Sequence, residues 1–148
     1  MLEAMIDFMD EFVYPAEPVY AQQLAANARD RPHDLPQIVE DLKVEARKRG
    51  GLWNLFLPDV SGLSNLDYAY VAEVTGRSPY LAPDAINSNA PSSGGNMEIL
   101  HLFGTEEQKW QWLEPLLDGT MRSGVCNDRT GRRVVGCASD CDVDRARR

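Results

Sequence analysis

The residues able to do chemistry are few in this 148-residue chain, and they sit in three places. Ser88, Asn89, Ser92 and Ser93 lie in the proline- and glycine-rich stretch 78–96 (SPYLAPDAINSNAPSSGGN). Their hydroxyl and amide groups could hydrogen-bond a substrate, although turn chemistry accounts for the same composition. His33 and His101 are the two imidazoles, and their spacing ties neither to a nucleophile, so no Ser-His-Asp relay can be assembled. His101 is expected to complete a packed helix face. The third group is Cys126, Cys137 and Cys141, with a C-x3-C spacing between the last two. Structural zinc takes four ligands, and no histidine lies near enough in sequence to complete the set. Three thiols are also too few for a disulfide scaffold. Glu3, Asp7, Asp10 and Glu11 read as the solvated face of a helix, and Arg47, Lys48 and Arg49 as cations at a helix C-terminus. No catalytic, cofactor-binding or metal-ligating residue is assigned.

The elements around these residues are helical in pattern. Leu2, Met5, Ile6, Met9, Phe12 and Val13 recur at spacings of three and four, the stripe of an amphipathic helix that Pro15 and Pro18 should interrupt or kink. Asp34 and Gln37 resemble a capping box before the stripe Leu35, Ile38, Val39, Leu42, which ends at Gly50-Gly51. The dense run Leu52 to Pro58 (LWNLFLP) is too short for an independent helix and reads as a buried extended segment or single turn. Ser64 and Asp67 cap a third helix carrying Leu66, Tyr70, Val71 and Val74. Met97, Leu100 and Phe103 form a short helix to Gly104. Thr105 and Gln108 then cap a helix whose buried face is Trp110, Leu113, Leu116 and Leu117, its last turn weakened by Pro115. At least five helices around one core follow, an all-α fold.

Composition narrows the classes of partner. The net charge is −8, with 43% hydrophobic and 26% charged residues. One domain's worth of chain can bury a substantial core. The acidic balance argues against nucleic acid and anionic lipid, which need clustered Lys and Arg. No apolar run approaches the roughly 18–20 residues of a membrane span, and the charged N-terminal segment is no secretory signal, so a cytoplasmic location is expected. The charge is unevenly spread. Residues 121–148 hold all three cysteines, seven Arg and four Asp, but no Leu, Lys, Glu or aromatic residue. That stretch carries +3, leaving −11 for residues 1–120.

The segment Asn96 to Gly119, NMEILHLFGTEEQKWQWLEPLLDG, resembles the N-terminal helical domain of acyl-CoA dehydrogenases, whose pattern there is a helix, G-T-E-E-Q-K, then W-L-x-P-L-L-x-G. The upstream LAPDAINSNAPSSGGNMEIL resembles the subfamily related to long-chain, sometimes kinase-fused, members. The likeness covers roughly residues 1–123. It implies an orthogonal bundle of about five to six helices, and an intact flavoenzyme that oxidises acyl-CoA thioesters between their α and β carbons. FAD, an electron-transfer partner and homo-oligomerisation belong to that intact enzyme. In the family, a middle β domain and a C-terminal helical domain supply most flavin contacts and the catalytic base. This chain alone is therefore expected to lack flavin and activity.

The family continues after the last helix with a strand resembling AFAMTEPDVASSDA, where this chain reads GVCNDRTGRRVVGC from Gly124 to Cys137. A one-base shift relates the two. Codons GGC GTT TGC AAT GAC for Gly124 to Asp128, read from their second base, give GCG TTT GCA ATG, or A-F-A-M. Synonymous choices extend the match through Cys137. The resulting expectation is a helical domain over 1–123 and a disordered out-of-frame tail over 124–148, with FAD absent from this chain. The alternative is a stand-alone helical interaction module with a cysteine-containing regulatory tail.

Overall fold

The computed structural model describes residues 1–30, 34–88 and 94–124; His33, Asn89, Ser92, Ser93 and the three cysteines lie outside them. Every regular element among the described residues is helical. Helix α1 (Leu2–Phe8) passes through a π-helical turn (Met9–Val13) directly into α2 (Tyr14–Asp30). The helix runs on past Pro15 and Pro18, and the interruption expected from sequence takes the form of this π turn. A proline ring clashes with the carbonyl four residues back in a regular α-helix. Here the Tyr14 N–H reaches back five residues to Met9 O, and the widened turn ends two residues before Pro15. The same arrangement recurs in the last helix. The π turn Lys109–Leu113, closed by the Glu114 N–H on Lys109 O, ends two residues before Pro115. Wide turns of this kind absorb a local mismatch without ending the helix.

Helix α3 (Gln37–Lys48) starts three residues after Asp34, with Pro36 at its N-cap. Its cap comes from another helix: Gln23 Oε1 of α2 accepts the Ile38 N–H at 2.9 Å. Gln37 instead donates to Asp41. The helix stops at Gly50-Gly51, both at positive φ, as the glycine pair requires. Leu52, Leu55 and Leu57 are buried in the irregular run that follows. The one-turn α4 (Pro58–Ser61) precedes α5 (Asn65–Thr75), which opens on the expected reciprocal Ser64–Asp67 capping box. A second one-turn helix, α6 (Ala82–Ala85), interrupts the proline-rich stretch. Helix α7 (Gly95–Phe103) and the last helix then form a hairpin. That last helix is α8 (Glu106–Gln108), the second π turn and α9 (Glu114–Leu117). Thr105 and Gln108 make the expected capping box at its start.

Met5, Phe8, Met9 and Val13 form the centre of the main core with Val39, Leu42 and Ala46 of α3, Val71 and Val74 of α5, and Leu81 and Ile86 flanking α6. Met97, Leu113 and Leu116 make a second, smaller core inside the hairpin, with Leu100 and Leu117 packed against it. Seven helical stretches result among the described residues when each π turn is joined to its neighbours. Two are single turns, so the five longer ones agree with the sequence reading.

Candidate functional site

Ser88, the one candidate hydroxyl of its loop among the described residues, is 1% exposed. Its Oγ accepts the Leu55 N–H at 2.8 Å and the Phe56 N–H at 3.4 Å, and donates to Ile86 O at 3.2 Å. The irregular run LWNLFLP has no ladder to serve its buried amides, and Ser88 serves two of them. Ser88 is structural, with no face toward a substrate. Tyr68 OH donates to Ser88 O at 3.0 Å, and burial pushes this phenol above its usual value near 10. A raised folded-state value means the stability contribution is complete below about pH 10 and is lost as pH rises through the raised value. Tyr68→Phe is expected to make the alkaline fall in stability shallower, while costing about 0.5–1.5 kcal/mol at neutral pH. Urea unfolding across that range tests it, and parallel profiles for the two proteins would count against the assignment.

His101 does not complete a packed face. Its Nε2 lies 2.9 Å from Asp59 Oδ2, tying α7 to α4 at the surface. Among the described residues no group of three or more His, Cys, Asp or Glu side chains could hold a metal ion. The basic trio also does more than complement its own helix end. Lys48 pairs with Glu45. Arg49 pairs with Glu11 and lies over the Phe12 ring, while Arg47 lies over Trp53, 4.1 Å from the ring centroid.

Arg47 belongs to the most developed polar site among the described residues. The final turn of any α-helix leaves carbonyls without intrahelical donors. Here side chains of the main body reach four successive carbonyls at the end of α9. Asn87 Nδ2 donates to Leu116 O at 2.8 Å. Trp53 Nε1 and Asn54 Nδ2 donate to Leu117 O at 2.8 and 2.9 Å. Arg47 donates to Asp118 O, and Lys43 Nζ to Gly119 O at 3.2 Å. Two cations thus meet the negative end of the helix. Asn54 and Asn87 are joined at 2.6 Å and are the two non-glycine residues at positive φ among the described residues, a conformation asparagine tolerates better than most. Just beyond, Arg122 binds Asp84 at 2.8 Å and approaches Glu40 at 3.5 Å. The set holds the chain's path from Leu116 to Arg122 against the body.

Sequence reasoning missed this site, since Lys43, Trp53, Asn54 and Asn87 carry no motif. The available signal was Asn54 itself, a polar residue inside an otherwise apolar run. The outer face of the hairpin was also misjudged. Trp110, expected in the buried face, is 71% exposed. Ile99, Leu102 and Phe103, at i, i+3 and i+4 on α7, share one face and are 59%, 56% and 80% exposed.

A helical body with its last helix end clasped by polar donors defines an all-α domain, and its family can be stated. A family model described as "Acyl-CoA dehydrogenase, N-terminal domain" matches residues 2–120. The chain belongs to the acyl-CoA dehydrogenase family, within that domain. It is 56% identical over 117 residues to "Probable acyl-CoA dehydrogenase FadE2" of Mycobacterium tuberculosis, a match covering 79% of this chain and 28% of that protein. It is 49% identical over 120 residues to human "Acyl-CoA dehydrogenase family member 11", covering 80% of this chain and 15% of that one. A solved structure described as "Structure of a putative acyl-CoA dehydrogenase from Mycobacterium abscessus" superposes with a TM-score of 0.69 at 45% identity. That match covers 80% of this chain and 30% of the other. The chain thus spans less than a third of each of these relatives. No described helix is long and apolar enough to cross a membrane.

Proposed function

We propose that the chain is the N-terminal part of a flavin-dependent acyl-CoA dehydrogenase, the class that dehydrogenates acyl-CoA thioesters between Cα and Cβ, and is itself inactive. The observation carrying this reading is the change of composition at residue 121, one residue past the family match over 2–120. Residues 1–123 form the helical domain, and 124–148 are the family strand and its continuation read one base out of frame. FAD, the acyl-CoA substrate, the electron acceptor and the homo-oligomer belong to the intact enzyme.

The surface cavity lined by Glu17, Tyr20, Ser78, Pro79, Tyr80 and Leu81 holds about 190 Å³, below the roughly 300–1,000 Å³ of small-molecule sites. Glu17 on its rim would repel a diphosphate. No step through the flavin is assigned to residues of this chain.

The exposed face of Ile99, Leu102 and Phe103, with Trp110 nearby in sequence, supports the same reading. A two-helix hairpin that exposes more large apolar side chains than it buries suits a domain packed against further chain. In isolation this chain is expected to self-associate. Phe103→Lys should shift sedimentation toward monomer while changing stability by less than about 0.5 kcal/mol. A wild-type chain already monomeric at high concentration speaks against the exposed-face argument.

The deciding experiment compares two genes. The chain as written should purify without flavin absorbance and without acyl-CoA oxidation. Resequencing the locus, or shifting the frame by one base at codon 124, should open a long frame encoding a yellow protein that reduces an electron acceptor with acyl-CoA. Stop codons soon after codon 124 in the shifted frame would favour a stand-alone helical module instead.

A further inference from the structure

The clustered buried apolar side chains of the described residues fall into two groups that share no member. One runs from Met5 to Ile86, and the other lies wholly within the hairpin, between Met97 and Leu117. The hydrogen bonds that join hairpin to body are concentrated at one end of it. Lys43, Arg47, Trp53, Asn54 and Asn87 donate to the carbonyls of Leu116, Leu117, Asp118 and Gly119. His101 with Asp59 adds a surface contact farther along. Apolar cores melt cooperatively because each side chain packs against many others, whereas a seam of polar bonds can exchange for water bond by bond.

We propose that the hairpin of residues 95–119 is a separately opening unit, latched to the body by side-chain donors on its C-terminal carbonyls. The latch has a geometric consequence. It captures the four carbonyls that immediately precede residue 120, so it sets the direction in which the following chain leaves the domain. When it opens, that direction is released while the main core stays closed. Asn87 is the keystone, because its amide touches both Asn54 and Leu116 and its backbone holds positive φ.

Hydrogen exchange measured by mass spectrometry on the full 148-residue chain tests this. Asn87→Gly retains access to positive φ but removes the amide donor. Amides of 99–103 and 113–117 are expected to exchange about tenfold faster, with those of 5–13, 39–46 and 71–75 unchanged within about twofold. Trp53→Phe keeps an aromatic ring under Arg47 and removes the indole donor together with part of the ring system. It should show the same selectivity at smaller amplitude. Equal acceleration of hairpin and body in both variants, including outright loss of folding, would falsify the latch, and so would an unaltered hairpin in both. These outcomes do not depend on whether the chain is a piece of a dehydrogenase.

Discussion

Phe8→Ala is expected to remove about 3–5 kcal/mol of unfolding free energy, the largest single effect available in the body. Phe8 is completely buried and stacks against Phe12 at a centroid distance of 5.7 Å. It sits where α1 enters the π turn, flanked by Met5 and Met9, which are also buried. Alanine there removes the transfer energy of a ring and leaves a cavity that a helix continuous through residue 30 cannot easily collapse into. Since a domain of this size holds only about 5–15 kcal/mol in total, most of the stability would go. Denaturant midpoints at constant slope measure it, and a loss under about 1 kcal/mol would contradict the central place given to Phe8. The loss should also reach the hairpin, because the donors that hold it stand on the body.

Gly119→Val comes second, at about 2–5 kcal/mol from two independent causes. Gly119 has φ +68, a region strongly unfavourable for a β-branched residue. A Cβ built there would also stand 2.8 Å from Cζ2 of Trp53. The ring cannot withdraw freely, since its Nε1 donates to Leu117 O and Arg47 covers its face. Gly119→Ala should cost less than the valine variant but still register, as its Cβ meets the same ring. Thermal melts of the three proteins provide the ranking, and an alanine variant as stable as wild type would disprove the close approach. Tryptophan fluorescence is expected to change in both variants, because Trp53 loses its fixed environment.

Much of the helical framework was legible because local interactions dictate it. The Ser64–Asp67 and Thr105–Gln108 capping boxes form within four residues of chain and appear in the structure as read. The stop at Gly50-Gly51 follows from backbone freedom alone. Asp34 misled because Gln23, fifteen residues before Ile38, supplies the cap of α3, and such a distance leaves no trace in a local pattern. Pro15 and Pro115 each follow a widened turn two residues earlier, a form of irregularity that the residue pattern does not specify. Ser88 looked available as a loop hydroxyl, yet it is buried and its Oγ serves the amides of Leu55 and Phe56.

Periodicity and capping alone thus determine that the body is all-helical, and the stretch from Asn96 to Gly119 identifies the family. These properties rest on contacts between near neighbours in sequence, where residue type and spacing suffice. Tertiary packing decided which apolar residues are covered, leaving Trp110 and Phe103 outside while Met97 and Leu113 are inside. It also brought Lys43, Trp53, Asn54 and Asn87 to one helix end across separations of 29 to 76 residues. Unsatisfied carbonyls at a helix terminus accept any suitably placed donor, so only the folded arrangement selects which side chains provide them.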